Sequence, residues 1–355
     1  MDASHGLDGR SGDVASPPDA SSTDSAGPGA GLLVGYYADW RRSLLPPEQV
    51  AWGQLTHVVH AFVTAGTGGG LSSPDTFAYP ALVAAAHAHG VKVLVSIGGA
   101  DVDLTPAVGT VRARAATVKA LVKLCSDYGY DGVDVDWEFP TASNVDAWAT
   151  FLGDLRKSFD AVTPGQLVSA TVASSPARIG ILPPAILGSL SWVGALTYAY
   201  SGAGASTVGF LAPLNAANGT DPSVAGSIGY LLDTQGVPGA KVLLGLASYG
   251  DEFTGALQGD PITSNVTVTT LGAVAVTGLI GAAGWTQGWA DAASAPFLQH
   301  SSSAAFVTYE NAASIGAKCA YAHARHLGGA LVWDLALGAA ADGGGGVLSA
   351  SQACR

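Results

Sequence analysis

Three acidic residues in one short run are the part of this chain best suited to chemistry. Asp134, Asp136 and Glu138 stand two positions apart in a segment that reads Asp-Gly-Val-Asp-Val-Asp-Trp-Glu. Because alternate side chains of a β-strand point to the same face, one strand would carry all three acids on one side. Like charges at such short range raise one another's pKa. The run therefore predicts a catalytic acid held protonated near neutral pH, a metal site, or both.

The residues between these acids favour the catalytic interpretation. Val133, Val135 and Trp137 are apolar, which predicts a buried strand rather than an exposed edge strand with solvated acids. A metal site would need further ligands from other strands, such as His57 or His60. His57 precedes the end of its strand and is better explained by packing. We therefore expect no metal ion and no cofactor.

The composition fits one large, tightly packed domain and excludes several partners. Of 355 residues, 48% are hydrophobic and only 12% are charged, with 48 glycines. Lys and Arg together number 15, the net charge is −12 and no basic block exists, which argues against binding to nucleic acid or an anionic membrane. No apolar stretch reaches the length of a membrane span. We expect a soluble monomer that acts on a neutral substrate.

Residues 1–30 differ from the remainder of the chain. They are rich in Ser, Asp, Gly, Pro and Ala, which predicts a disordered tether. The first residues have neither the basic start nor the apolar segment of a signal peptide. The protein would therefore be cytoplasmic, or its signal has been removed. A tether before a single domain is commoner in exported proteins, so we favour a secreted or extracellular protein.

After residue 30, apolar β-prone runs alternate with Ala-rich helical stretches, and this alternation predicts a parallel sheet. Eight such runs in one domain predict a (β/α)8 barrel over 31–355, with functional residues at the carboxyl ends of its strands. The alternative is a doubly wound open sheet, but no GxGxxG loop follows the first run. The eight runs are 32–38, 55–63, 91–98, 132–138, 167–173, 192–198, 242–248 and 329–335.

The gap between the seventh and eighth runs is longer than one helix requires. We interpret 251–284 as an insertion that forms a wall of the binding cleft, with a hairpin or a partly buried loop in 262–280. The cysteines leave two alternatives open. Cys354 could reach Cys319 if the last helix packs back on its neighbour, or Cys125, Cys319 and Cys354 are three separate thiols.

The acidic run resembles the DGxDxDxE signature of glycoside hydrolase family 18, the chitinases and their relatives. Other parts of the chain are similar to further motifs of that family. They are Gly35-Tyr36-Tyr37 with Trp40, Ala61-Phe62, Ser96-Ile97-Gly98-Gly99, Leu196-Thr197-Tyr198, Leu244 to Gly250, and Gly328 to Asp334. The resemblance spans about 31–340 and implies the same barrel.

The resemblance implies retaining, substrate-assisted hydrolysis of β-1,4-linked N-acetylglucosamine, in which the acetamido oxygen of the substrate is the nucleophile. Glu138 would protonate the glycosidic oxygen and then act as a base toward water. Asp136 would orient the acetamido group, and Asp134 would share a proton with Asp136. Tyr198 would hydrogen-bond the acetamido carbonyl. The resemblance also implies a set of substrate-binding residues: Trp333 as the floor under the sugar, Tyr36, Phe62, Trp40 and Tyr249 around it, and Ser96 bonded to Asp134.

Two positions depart from the family pattern. The sixth-strand motif usually reads Met-x-Tyr-Asp, but this chain has Leu196 and Ala199 at its ends. The Leu is a volume-conserving change, whereas the Ala removes a carboxylate that contacts both the sugar and the catalytic acid. Asp251 stands where relatives often have an Arg. The loss of the carboxylate at position 199 predicts weaker activity, a shifted pH optimum, or its replacement by a polar group from elsewhere in the chain. A weak hydrolase with an intact acid would also allow some transglycosylation.

Two alternatives to a chitinase remain open from the sequence. The same chemistry would serve an endo-β-N-acetylglucosaminidase acting on glycans, or a hydrolase of peptidoglycan. A chitin-binding lectin on the same scaffold is the other alternative, which Ala199 favours and the intact Glu138 opposes.

Overall fold

The computed structural model describes residues 31–202, 204–219, 221–300, 302–339 and 346–355. The tether predicted for 1–30 lies outside these residues. In the described part of the chain, no helix is long and apolar enough to cross a membrane.

Eight parallel strands form a closed barrel, because each strand pairs with the next and the last pairs with the first. This closure confirms the predicted (β/α)8 barrel over the open-sheet alternative. The barrel strands are β1 (Leu32–Ala38), β2 (His57–Ala65), β3 (Lys92–Ala100), β4 (Gly132–Glu138), β5 (Leu167–Val172), β6 (Val193–Ala195), β7 (Val242–Ala247) and β8 (Gly329–Trp333). A short strand, Leu71–Ser72, pairs with the end of β2.

The helices surround the barrel and bury one apolar face each. Val145–Val162 buries Trp148, Phe151, Leu152, Leu155 and Phe159 at helical spacing. The main helices are Pro80–Ala88, Val111–Tyr128, Val145–Val162, Pro184–Ser189, Val224–Gly229 and Ala312–Ala324. Helices of four residues are Pro74–Phe77, Thr105–Val108, Pro176–Ile179, Leu335–Gly338 and Val347–Ala350.

The ends of the helix Val111–Tyr128 follow from local chemistry. The Thr110 hydroxyl accepts a hydrogen bond from the Ala113 amide at the first turn. Gly129 ends the helix in a left-handed conformation with φ of 76°, which costs glycine little. The chain then turns directly into β4, so this glycine determines where the acidic strand begins.

A second sheet lies between β7 and β8. Its five antiparallel strands cover Tyr249–Thr254, Thr267–Gly272, Trp285–Ala290, Ala295–His300 and Ala305–Thr308. One face packs on the helix Ala273–Leu279 through Val276. The other face packs Phe253 and Phe306 on Phe210 from the segment after β6. The additional structure therefore extends beyond 251–284, because its central pair joins Tyr249–Thr254 to Ala305–Thr308.

The two ends of the barrel domain lie side by side at the amino-terminal ends of the strands. A side chain at Gly31 would lie 3.1 Å from the Cys354 carbonyl oxygen and 3.2 Å from Arg355 Cα. Cys319 and Cys354 form a disulfide, and Cys125 is a buried free thiol. The disulfide fastens the end of the chain to the helix Ala312–Ala324.

Candidate active site

The three acids project from β4 toward the inside and mouth of the barrel. Asp134 is fully buried, Asp136 is 3% exposed and Glu138 is half-buried at the strand end. The apolar residues between them pack outward in the core beneath the helices. Register with β3 pairs Ser96 with Asp134 and Ala100 with Glu138, so the depth of each acid is fixed by the neighbouring strand.

Asp134 is held by hydroxyl groups from three strands. The hydroxyls of Tyr36, Ser96 and Ser169 donate to its carboxylate over 3.0, 2.7 and 2.7 Å. Burial raises the pKa of Asp134, and the three donors oppose that rise. Because three donors satisfy both of its oxygens, this acid is an anchored acceptor below the cavity.

Asp136 lies in a different electrostatic environment. Within the described residues, one hydroxyl group donates to it, that of Thr171 on β5. Burial raises the pKa of Asp136 well above its ordinary value, and the charges of Glu138 and Asp134 raise it further. The acids therefore titrate together, and a proton held at this site is shared within the group.

Glu138 is the acid with the most access to a ligand. Burial raises its pKa to about 7, and the charge of Asp101 contributes to the rise. A carboxyl group with such a pKa can donate a proton near neutral pH and take it back later in the same reaction.

A cavity of about 570 Å³ opens above these acids at the carboxyl ends of the strands. It is lined by Tyr36, Trp40, Phe62, Thr64, Gly98, Gly99, Ala100, Val102, Asp136, Glu138, Leu196, Tyr198, Ala199, Tyr249 and Trp333. The lining thus brings together eight of the ten predicted site residues. Asp134 and Ser96 are the other two, and they support the acids from beneath.

Aromatic rings form the floor and one side of the cavity. The Trp333 ring centroid lies 5.5 Å from that of Tyr36 and 5.7 Å from that of Phe62. The Trp40 centroid lies 5.9 Å from that of Phe62. Tyr198 contacts Tyr249 edge-on, and burial raises the pKa of Tyr198 well above its ordinary value. The cavity can therefore hold a ligand that has an apolar face and polar edges.

The two unusual positions have different surroundings. Ala199 lines the cavity and has φ of 56°, a left-handed conformation that is uncommon for alanine. Asp251 is 5% exposed and its carboxylate accepts a hydrogen bond of 2.9 Å from Thr270. Burial raises the pKa of Asp251. Asp251 is therefore bound within the second sheet, and it does not line the cavity.

The histidines considered as metal ligands have other partners. His57 packs edge-on against Trp192, and His60 bonds Tyr130 and Asp39. Within the described ranges, no group of three or more His, Cys, Asp or Glu residues is placed to hold a metal ion.

Sequence reasoning missed three polar residues near the acids. Ser169 and Thr171 alternate along β5, so the period that identified the acids could have identified them too. Asp101 comes from the turn after β3, and no pattern in the sequence indicates that it lies near Glu138.

Comparisons with known proteins find related sequences and a similar fold. The sequence model of the family described as Glycosyl hydrolases family 18 matches residues 32–338. Chitinase A1 of Niallia circulans is 30% identical over 288 residues, which are 69% of this chain and 40% of that protein. A chitinase-like effector of Moniliophthora perniciosa is 31% identical over 63% of this chain and 56% of its own length. The chain thus spans about half the length of these relatives.

Among solved structures, a similar fold occurs in the Group IV chitinase of Ostrinia furnacalis in complex with allosamidin. The TM-score is 0.82 at 21% identity, and the alignment covers 90% of this chain and 97% of that one. The similarity at this identity concerns the fold alone.

Proposed function

The chain belongs to glycosyl hydrolases family 18, and from this premise we propose that it is a chitinase that cleaves β-1,4 linkages between N-acetylglucosamine units. The observation that carries the proposal is the placement of Asp136 and Glu138 beneath an aromatic cavity, with burial and the charge of Asp101 raising the pKa of Glu138 to about 7. That value leaves a large fraction of Glu138 protonated at neutral pH.

In the proposed reaction Glu138 protonates the glycosidic oxygen as the bond to the anomeric carbon breaks. The acetamido oxygen of the same sugar attacks that carbon from the opposite face, which gives a cyclic oxazolinium ion with inverted configuration. The attack of water in the second step inverts the carbon again, so the net result is retention. Glu138, now ionised, takes a proton from water, and the water opens the ring. General acid and base assistance of this kind contributes about 10²–10⁴ in rate.

Asp136 supports the substrate's own nucleophile. A protonated Asp136 can donate a hydrogen bond to the acetamido group, and an ionised Asp136 can stabilise the positive ring that forms. The high pKa of Asp136, caused by burial and by the charges of Glu138 and Asp134, keeps a proton available for this exchange. Asp134, anchored by its three hydroxyl donors, is the partner with which that proton is shared.

The cavity lining supports the proposed roles in binding. Trp333 would lie under the sugar ring at the bond that breaks, flanked by Tyr36 and Phe62. Tyr198 would donate to the acetamido carbonyl from beside Tyr249. Stacking on these rings buries the apolar face of a sugar and leaves its hydroxyls free to form hydrogen bonds.

Ala199 leaves the cavity without a carboxylate at its sixth-strand side. We expect slower hydrolysis for this reason, and transfer of the bound glycosyl unit to a second sugar in competition with water. The polymeric substrate and the disulfide between Cys319 and Cys354 both favour action outside the cell, where disulfides persist. We propose a secreted monomer.

The decisive experiment is the product distribution from chitohexaose for the wild type and for Glu138→Gln. We expect shorter oligosaccharides from the wild type and a fall in kcat of about 10²–10⁴ in the variant. Glu48→Gln is the matched control, because Glu48 is exposed and far along the chain from the acids. Turnover that survives in Glu138→Gln would refute the proposal.

Two other outcomes would identify the alternative functions. Cleavage of a high-mannose glycopeptide or of peptidoglycan in preference to chitohexaose would indicate a different substrate for the same chemistry. Tight binding of chitohexaose with no turnover at any pH would indicate a chitin-binding lectin, the alternative that Ala199 favours.

A further inference from the structure

Trp40 extends the aromatic surface beyond the cavity floor. Trp40 is 55% exposed, yet its ring centroid lies 5.9 Å from that of Phe62 and 6.2 Å from that of Trp333. A large exposed side chain on a turn is free to change rotamer, and a ligand that stacks on it must first order it. Ordering such a side chain costs binding free energy. Residues that hold Trp40 in place therefore raise the affinity for a ligand that stacks on it.

On one side of Trp40, Arg41 connects the turn after β1 to the end of β8. Its Nη1 lies 2.6 Å from Oδ2 of Asp334, the residue that follows Trp333. Asp334 is fully buried, and its other carboxylate oxygen accepts the Leu337 amide over 2.8 Å. The Arg41 guanidinium carbon also lies 5.6 Å from the centre of the Trp40 ring. Arg41 thus lies against Trp40 and binds a buried carboxylate whose other oxygen is also hydrogen-bonded.

On the other side, Asp39 connects the same turn to β2. His60 Nε2 lies 2.9 Å from Asp39 Oδ1, and His60 Nδ1 lies 2.8 Å from the Tyr130 hydroxyl. Burial lowers the pKa of His60, although Asp39 opposes this, and the shift favours the neutral ring. The neutral ring then donates from Nε2 to Asp39 and accepts at Nδ1 from Tyr130. Arg42 also binds Asp39, and it donates to the Phe77 carbonyl.

We propose that Asp39 and Arg41 are positioning residues that fix the turn carrying Trp40, through His60 and Asp334, and so determine the preference for long over short substrates. The inference rests on the proposed chitinase function. A sugar chain that reaches Trp40 meets an indole that is already ordered, whereas a short substrate gains little from it. The ion pairs at Asp39 and Arg41 therefore contribute to binding at a distance from the bond that breaks.

The test compares kcat/KM on chitohexaose with kcat/KM on a chromogenic chitobioside. We expect the ratio of the two values to fall about fivefold in Arg41→Gln and in Trp40→Ala, and no further in the double variant. Arg156→Gln is the matched control, because Arg156 has a similar side-chain exposure, 28% against 25% for Arg41, and its ion pair with Asp160 lies on an outer helix. The control should keep the wild-type ratio.

Several results would overturn the inference. An equal loss on both substrates would mean that Arg41 only stabilises the fold, and a second fivefold fall in the double variant would mean that Arg41 acts independently of Trp40. Arg41→Gln leaves Asp334 buried without its cation and can fail to fold. In that case Asp39→Asn and Arg41→Lys give the same comparison, with the smaller fall expected in Arg41→Lys because it keeps the charge.

Failure of the inference and failure of the proposed function give different results. If the wild type cleaves both substrates and every variant keeps the wild-type ratio of kcat/KM values, the positioning role alone is refuted. A wild type that cleaves neither refutes the proposed function. The positioning role is then measured by the affinity for chitohexaose from tryptophan fluorescence, and unchanged affinity in Arg41→Gln would refute it.

Discussion

The proton on Glu138 depends on a residue outside the acidic strand. Asp101 lies in the turn after β3, and its charge adds to burial in raising the pKa of Glu138 to about 7. Hydrolysis requires the protonated form of Glu138, so kcat/KM should fall as the pH rises through that value. The pH dependence of the reaction is therefore determined in part by a residue that has no contact with the substrate in the proposed mechanism.

Replacing Asp101 by Asn should move the alkaline limb of the pH profile to lower pH. Removal of the negative charge lowers the pKa of Glu138, so the protonated acid is lost earlier as pH rises. Asn also tolerates the left-handed φ of 62° at this position. The measurement is kcat/KM on a chromogenic chitobioside as a function of pH, with the exposed Asp127→Asn as control. A limb that stays in place or moves to higher pH would contradict the prediction.

Ala199 allows a test of the missing carboxylate with a built-in control. The left-handed backbone at position 199 strains Ala by roughly 1–2 kcal/mol. Asp and Asn both accept this conformation better than Ala does. Both variants should therefore gain stability, but only Ala199→Asp should raise the hydrolysis rate. The measurements are the melting temperature and kcat for the two variants. Equal rates in Ala199→Asp and Ala199→Asn would show that charge is not what the position lacks.

At the scale of elements, the acidic strand β4 could be predicted from the sequence, whereas the extent of the sixth strand could be predicted only in part. A period of two places Asp134, Asp136 and Glu138 on one face whatever the rest of the fold does. The sixth strand was predicted over 192–198, but β6 covers only Val193–Ala195. Beyond it the Thr197 amide turns back to the Ala195 carbonyl, so the chain leaves the sheet despite its β-prone residues. Contacts with the rest of the fold therefore outweigh the preference of these residues for a β-strand.

The disulfide joins two elements that lie on either side of β8 in the chain. It links the helix Ala312–Ala324 to the last turn, Ser351–Cys354, across a sequence separation of 35 residues. Closing a loop of this length restricts the unfolded chain, which stabilises the fold by about 2–4 kcal/mol. We expect that loss of unfolding free energy in Cys319→Ala, in Cys354→Ala and in the double variant alike, measured by urea denaturation. Losses that add in the double variant would show that each side chain contributes by packing rather than by the bond.

At the scale of the whole molecule, alternation of strands and helices was sufficient to predict the barrel, because eight parallel strands with helical crossovers close in few other ways. The second sheet was harder to predict. Its central strands, Tyr249–Thr254 and Ala305–Thr308, are about fifty residues apart in the chain. Nothing in the sequence of either segment indicates that it pairs with the other. The same holds for Arg41 and Asp334, whose pairing depends on β1 and β8 meeting at the point of closure.

Gly31, just before β1, lies next to Cys354 and Arg355 in space. The contacts between β1 and β8 hold the barrel closed without any peptide bond between them. A short linker from Arg355 to Gly31 would complete a covalent ring, and the chain could then be opened at another surface loop with the same set of strand pairings. Because this junction lies at the opposite end of the strands from Glu138, a solid support attached there would leave the mouth of the cavity facing the solution.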